Sequence, residues 1–234
     1  VSRIRLDSPK AIIDIGCGPG NSTQVLCRKW PASDILGLDY SEAMIAKARL
    51  DYPGQHWMVG DAGKFDAMEK YDLVFSNATL QWIPRHEDLL PRLIGGVKHG
   101  GALAAQIPMF KPMPINVAIE TVAGRSEWRP YTARCAELFT YQDSNFYYGI
   151  LAARMDRVDM WETSYIHVLD SHEALLDFCR STALRPYLER LPSDDARERF
   201  EDQVLAECRR RYPLQGDGKL LFPFDRLFFV GYKG

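Results

Sequence analysis

Residues 11 to 20, Ala-Ile-Ile-Asp-Ile-Gly-Cys-Gly-Pro-Gly, constrain the fold of this chain more than any other stretch. A short apolar run ends in glycines at every second position, Gly16, Gly18 and Gly20. A buried strand therefore runs into a tight turn with little side-chain bulk. Asn21 and Ser22 are placed to cap a helix beginning near Thr23, which runs to about Trp30 and stops before Pro31. Such a turn brings backbone N–H groups and a helix N-terminus close to a bound small molecule. A plain structural connection can use the same glycines, so a second signal matters. Ile35-Leu36-Gly37-Leu38-Asp39 reads as the next strand and closes on a carboxylate. In a βαβ unit, an acid at that place can accept both hydroxyls of a ribose.

The other residues of the turn separate two classes of ligand. A dinucleotide needs room for a pyrophosphate facing the helix dipole. This turn carries Asp14 just before the glycines and Pro19 among them. Asp14 sits badly against a pyrophosphate and well beside an ammonium group. The pattern favours a cationic nucleoside bearing an amino acid, S-adenosylmethionine, over a nicotinamide or flavin cofactor.

At 234 residues the chain has room for one large domain or a domain with a sizeable insertion. A formal charge of −2 gives no broad attraction to nucleic acid or an anionic membrane. The five cysteines are scattered, with no CxxC pair. That suits a reducing, cytoplasmic compartment and gives no support for structural zinc or another metal. No 18-residue apolar run and no secretion signal is present. The expected partner is a small molecule, and a homo-oligomer stays open.

Residues 11 to 108 alternate between strand and helix patterns. Strands are expected at Ala11–Ile15, Asp34–Leu38, His56–Val59, Tyr71–Ser76 and Ala102–Ile107. Helices are expected at Ser22–Trp30, Glu42–Leu50 and Glu87–Gly95. Apolar strands joined by helices imply an α/β fold with a mainly parallel sheet covered on both faces. Met44, Ile45 and Ala48 form a stripe toward that sheet, and Met44 is also placed to touch an adenine edge. The rhythm stops after Ile107. Helices are then expected at Ile115–Ala123, Asn145–Met155, Ser171–Arg180 and Ser193–Arg211, with strands at Val158–Leu169 and Phe224–Tyr232. A late strand returning to the sheet makes residues 171–221 a helical cap inserted into a single domain, 1–234.

In such sheets ligands bind outside the carboxyl ends of the strands. That rule collects Asp14, Gly16, Gly18, Gly20 and Asn21 around the first strand end, and Asp39 with Tyr40 after the second. Asp61 and Ala62 follow the third, and Asn77, Gln81 and Trp82 follow the fourth. Asp39 would receive the ribose hydroxyls, Asp61 the adenine amine with Ala62 near the ring, and Asn77 the methionyl amine.

At these residues the chain resembles the class I S-adenosylmethionine-dependent methyltransferases and, more closely, the trans-aconitate 2-methyltransferase family. The resemblance runs through Asp14-Ile-Gly-Cys-Gly-Pro-Gly-Asn-Ser-Thr23, Ile35–Asp39 and Ser41-Glu-Ala-Met-Ile-Ala46. It narrows in Tyr71-Asp-Leu-Val-Phe-Ser-Asn-Ala-Thr-Leu-Gln-Trp82. It continues through Ser171-His172, Leu184-Arg-Pro-Tyr187, Tyr212-Pro-Leu214, Gly218, Phe224 and Arg226-Leu-Phe228, and so covers nearly the whole chain. Two departures stand out. The family has a longer N-terminal segment with a helix that closes over the donor, whereas this chain opens at Val1, close to the first strand. After Pro108 it has Met109-Phe110-Lys111 in place of the family's aspartate-asparagine-tryptophan pattern.

The resemblance implies a Rossmann-like, seven-stranded mixed sheet with a helical cap. It implies methyl transfer from S-adenosylmethionine to one carboxylate of a small polycarboxylic acid, trans-aconitate above all, giving a monomethyl ester. A carrier-bound dicarboxylate or another small acid is the alternative acceptor, and a non-catalytic donor-binding protein the alternative class. Arg185 and Arg226 are the expected clamps for non-reacting carboxylates, since a guanidinium fork matches their geometry. Tyr147, Tyr148, Tyr187 and Tyr212 would supply phenolic donors and wall area, or else packing surface. Trp82 would close the hydrophobic side of the methyl-transfer point. His167 and His172 lack the relation of a metal site.

Overall fold

A computed structural model describes residues 1–234. The strands are β1 (Ala11–Ile15), β2 (Asp34–Asp39), β3 (His56–Val59), β4 (Tyr71–Asn77), β5 (Val97–Pro108), β6 (Arg157–Leu169) and β7 (Leu220–Tyr232). The helices are α1 (Asn21–Lys29), α2 (Glu42–Asp51), α3 (His86–Gly95), α4 (Pro114–Ala123), α5 (Arg129–Thr132), α6 (Ser144–Ala152), α7 (His172–Arg180), α8 (Arg185–Leu188) and α9 (Asp194–Arg211). The strands form one sheet in the order β3-β2-β1-β4-β5-β7-β6. β1 through β5 pair in parallel. β7 runs against β5: Gly100 N–H donates to Lys233 O, and Met109 N–H to Asp225 O, so one index rises as the other falls. The sheet is the mixed seven-stranded sheet of a class I methyltransferase fold.

Local chemistry accounts for these elements. Ile12, Ile13, Asp14 and Ile15 are all buried, which is the pattern of a central parallel strand covered on both faces. Ser41, Ser171 and Ser193 cap α2, α7 and α9 by accepting the N–H of Met44, Ala174 and Ala196. Asp72 accepts from the N–H of Lys10 and Ala11 at 2.8 and 2.7 Å and pairs with Lys98 at 3.2 Å. It thereby fastens the entry of β1 to β4.

Several sequence expectations change. α1 is capped by Gly20 in the left-handed region at φ 96°, with no side-chain cap; Ser22 lies inside its first turn. Met44 is 41% exposed, so only Ile45 and Ala48 keep the expected core stripe. β5 begins at Val97 rather than Ala102, and residues 100 and 101 are held by backbone bonds to Lys233. β7 begins at Leu220, which places Arg226 inside the strand instead of at its start.

The chain divides into two compact units. The first comprises Val1–Ile107, Gln142–Glu162 and Leu227–Gly234; the second comprises Pro108–Tyr141 and Thr163–Arg226. The second is thus wider than the 171–221 stretch expected as a cap: it also takes α4, α5 and the inner halves of the two long strands. Its core gathers Ile115, Ile119, Trp128, Leu175, Tyr187, Phe200 and Phe222. Phe200 is fully buried there, edge-on to Trp128 at 5.5 Å and stacked with Tyr187 at 6.1 Å. Phe200→Ala is expected to cost about 3–5 kcal/mol, read as a fall in the urea midpoint by circular dichroism. A change under about 1 kcal/mol would show that the second unit does not depend on this core.

Candidate functional site

The carboxyl ends of β1 to β4 carry the residues expected to hold the donor, all within the first unit. The glycine turn has three left-handed residues: Gly16 at φ 71°, Gly18 at φ 56° and Gly20 at φ 96°. Its amides are distributed among the strand ends. The N–H groups of Gly16 and Cys17 donate to Leu38 O at 2.7 and 3.0 Å, and Gly18 N–H donates to the Asp39 carboxylate at 2.8 Å. The other Asp39 oxygen accepts from Ser41 N–H at 2.8 Å. Two backbone amides therefore hold Asp39 in place, and each oxygen keeps a further lone pair.

Space around the turn is uneven. A Cβ at Gly18 would meet nothing within 4 Å, so this glycine faces an open cradle. A Cβ at Gly16 would lie 2.1 Å from the Thr79 side chain, and one at Gly20 would lie 2.6 Å from Trp57. Thr79 is the residue that sequence reasoning missed. Its hydroxyl lies 3.1 Å from Gly16 O and 3.3 Å from Asn77 O, tying the first strand end to the fourth. The signal was present as the variable position of Asn-Ala-x-Leu-Gln-Trp, but threonine at a turn reads as ordinary turn chemistry.

Asp14 is wholly buried. One oxygen accepts from the hydroxyls of Ser22 and Thr23, both at 2.6 Å; the other has no hydrogen-bond partner. Burial pushes its carboxyl up to about 6, against the pull of those two hydroxyls. Gln81 repeats the pattern in a neutral group. Its Nε2 donates to Ala78 O at 2.7 Å, and its buried Oε1 has no partner. Both unpaired atoms are acceptors. S-adenosylmethionine carries donors, which these two atoms lack: an ammonium group, an adenine amine and ribose hydroxyls. The open cradle at Gly18 and these two acceptors fit that molecule.

The remaining expected residues divide. Tyr40 is 79% exposed, and Met44 stands exposed after Asp39. Asp61 caps the short 3-10 turn Ala62–Lys64 by accepting Gly63 N–H at 2.8 Å, and Ala62 is buried beside it. Asn77 closes β4. It borders a cavity of about 230 Å³ with Phe75, Gln106, Trp161 and Phe228, in which the only cationic side chain is Arg3. Trp82 ends the 3-10 turn Leu80–Trp82 and is half-buried.

Tyr147 corrects an expectation. It is fully buried with its hydroxyl 2.7 Å from His86 Nδ1, so it packs and does not line a wall. Its neighbour Tyr148 is the exposed member of the pair on α6. In the second unit Tyr187 and Tyr212 are also core residues. Tyr187 stacks on Phe200, and the Tyr212 hydroxyl accepts Ile115 N–H at 2.9 Å at the start of α4. Packing, the alternative reading of these tyrosines, is what the structure shows. Arg185 opens α8 half-exposed and lies 3.9 Å from Glu189. Arg226 sits over the rings of Phe224 and Tyr165 at 4.8 and 5.6 Å. His172 is accounted for by a bond to Tyr212 O at 2.8 Å.

Comparison with known proteins shows the family and the fold. Residues 12–101 match a family described as "Methyltransferase domain". Over 239 residues the chain is 36% identical to a trans-aconitate 2-methyltransferase of Variovorax paradoxus, covering all of this chain and 90% of that one. It is 38% identical to one of Methylobacterium nodulans, with the same coverage. Among solved structures it is similar in fold to the YcgJ protein of Bacillus subtilis, with a TM-score of 0.60 at 12% identity over 98% of this chain and 94% of that one. It is likewise similar to phosphoethanolamine N-methyltransferase 2 of Haemonchus contortus, with a TM-score of 0.57 at 16% identity over 98% of this chain and 50% of that one.

The contact at Gly16 yields a direct test. Gly16→Ala is expected to lower the melting temperature by about 5 °C or more, since strain at positive φ adds to a clash of side chain on side chain. Adding Thr79→Gly should restore part of that loss, because it removes the three atoms nearest the new Cβ. No recovery in the double variant would show that the backbone conformation, not Thr79, demands glycine.

Proposed function

Because the chain belongs to the trans-aconitate 2-methyltransferase family, within the class I S-adenosylmethionine-dependent methyltransferases, we propose that it esterifies one carboxylate of a small polycarboxylic acid, trans-aconitate or a close tricarboxylate. Full-length likeness to relatives bearing that name is the observation that carries the acceptor class. The donor supplies a methyl group made electrophilic by its sulfonium sulfur.

The chain's own residues have defined tasks in this reading. Gly16, Gly18, Gly20 and Asn21 hold the amino-acid part of the donor beside Asp14. Asp39 accepts the ribose hydroxyls on the lone pairs that the Gly18 and Ser41 amides leave open. Tyr40, Met44, Asp61 and Ala62 bound the adenine, and Asn77 and Gln81 add acceptors at the end of β4. An acceptor carboxylate is ionised near neutral pH and needs no general base. It needs alignment with the methyl group and exclusion of water, and Trp82 provides apolar surface for both. Non-reacting carboxylates go to Arg185 and Arg226, because burying so anionic an acceptor without paired donors carries a large desolvation penalty.

The Met109-Phe110-Lys111 departure favours a second reading, methylation of a different small acid by the same chemistry. A panel of mono-, di- and tricarboxylates with labelled donor separates the two. Highest kcat/KM on trans-aconitate is expected. Equal activity on a monocarboxylate would remove the multi-point clamp, and no transfer to any acid would remove the carboxyl methyltransferase reading. Arg185→Ala or Arg226→Ala should raise the acceptor KM about tenfold or more while leaving donor affinity within about twofold.

Asp14 predicts a pH dependence. Its carboxyl is raised from an unfolded value of 3.8 to about 6, so without ligand its contribution to stability is present at low pH and is lost as pH rises through about 6. An ammonium group at the unpaired oxygen favours the ionised form. Affinity for S-adenosylhomocysteine, measured by calorimetry, should therefore tighten as pH rises through about 6, and Asp14→Asn should flatten the profile. A wild-type profile already flat across that range would place the ammonium elsewhere.

A further inference from the structure

We infer that His86, held by Tyr147, is a positioning residue for the turn that carries Gln81 and Trp82; its bearing on methyl transfer rests on the function proposed above. Three observations within the first unit carry it.

The turn needs to be held. Ala78 and Arg85, which bracket it, are both left-handed at φ 55° and 56°, and neither is glycine. Residues in that region cost about 1–3 kcal/mol each and persist only where the surroundings over-determine them. The near side of the turn is fixed by Ala78 N–H donating to Gln106 O at 3.0 Å and by the Thr79 hydroxyl. The far side is where His86 acts.

The geometry at His86 fixes one tautomer of the neutral ring. The residue is fully buried as the first of α3. Its Nε2 lies 2.8 Å from Leu80 O, and its Nδ1 lies 2.7 Å from the Tyr147 hydroxyl. A carbonyl oxygen only accepts, so Nε2 carries the hydrogen and donates it. Nδ1 then has a lone pair, and the phenol donates to it. Burial pushes the His86 pKa below its ordinary value, which agrees with a neutral ring. Leu80 O also accepts Ile83 N–H at 2.9 Å, so both of its lone pairs are engaged.

The anchor behind the imidazole is rigid. Tyr147 is fully buried on α6, stacked on Phe229 at 5.5 Å and edge-on to Phe146 at the same distance. The chain of contacts runs from a packed helix through phenol and imidazole to the carbonyl of Leu80, the residue immediately before Gln81 and Trp82. Both ring nitrogens of His86 and the Tyr147 hydroxyl are engaged within the fold, so neither side chain offers a free polar atom to substrate. Their effect passes through the backbone of the turn, where a displacement of about 1 Å can cost up to about a hundredfold in rate.

The test uses Tyr147→Phe, His86→Gln and His86→Leu in the full chain, with two readouts. Tyr147→Phe should lower kcat about tenfold with donor affinity and acceptor KM within about twofold. His86→Gln keeps an N–H near the position of Nε2 and should recover most of the kcat that His86→Leu loses. Hydrogen exchange, which needs no substrate, should quicken at the Trp82 and Ile83 amides in Tyr147→Phe and His86→Leu while β1 and β4 amides stay protected. Faster exchange spread evenly through the first unit would overturn the proposal in favour of plain core stability. Unchanged exchange at those two amides would overturn it whatever the activity. If wild-type protein methylates no acid while the local exchange behaves as expected, the proposed function falls and the anchoring of the turn stands.

Discussion

The approach of Thr79 to the backbone of Gly16 sets how closely the first and fourth strand ends can meet. A Cβ on that glycine would overlap the threonine side chain, so the turn exists only because the position is bare. The same turn is tied to the second strand end by two amides on Leu38 O and by Gly18 N–H on Asp39. Three strand ends are therefore locked by one short loop whose own side chains contribute almost nothing. The open face at Gly18 follows: with its neighbours on either side pressed against Thr79 and Trp57, the middle glycine is left uncovered.

Two buried carboxylates show how surroundings decide a charge. Glu207 on α9 meets Arg125, Arg210 and Arg211, and Arg210 and Arg211 hold its carboxyl below the usual range. Asp14 meets two hydroxyls and no cation, and burial pushes its carboxyl up. The first charge is satisfied within the fold of the second unit. The second is not, and an isolated buried charge is expensive unless paired. A cation arriving at Asp14 therefore gains more than it would at any carboxylate already paired.

The alternating half of the chain was legible because periodicity and strand-end chemistry agree there. β1 and β3 fall where the apolar runs place them, and Asp39 closes its strand on the glycine turn. Boundaries failed where tertiary pairing overrides local signals: the strand expected from Ala102 begins at Val97, and Gly100 and Gly101 bond to Lys233. The α1 cap failed because Ser22 has a better use, donating to a buried acid rather than accepting from its own helix. Tyrosine was the hardest residue to assign. Its ring suits a core and its hydroxyl suits a ligand, and composition does not say which end has a partner. Tyr147, Tyr187 and Tyr212 all proved to be core residues, two of them with hydroxyls bonded to groups far away in sequence.

The proposed reaction, carboxyl methylation, makes that distinction matter. The nucleophile is ionised without help, so no acid or base need sit at the reacting atoms. What remains for the protein is alignment, and alignment is a property of backbone turns rather than of titrating groups. A perturbed histidine beside such a site would ordinarily be read as a general base. Here both ring nitrogens are engaged, one with Leu80 O and the other with a phenol, and the ring is buried. Its depressed pKa reflects burial, and its work is to keep a carbonyl in place. In a reaction that requires no proton transfer from the enzyme, a neutral histidine under the turn is better placed than a titrating one within it, because it fixes geometry without adding a charge near the anionic acceptor.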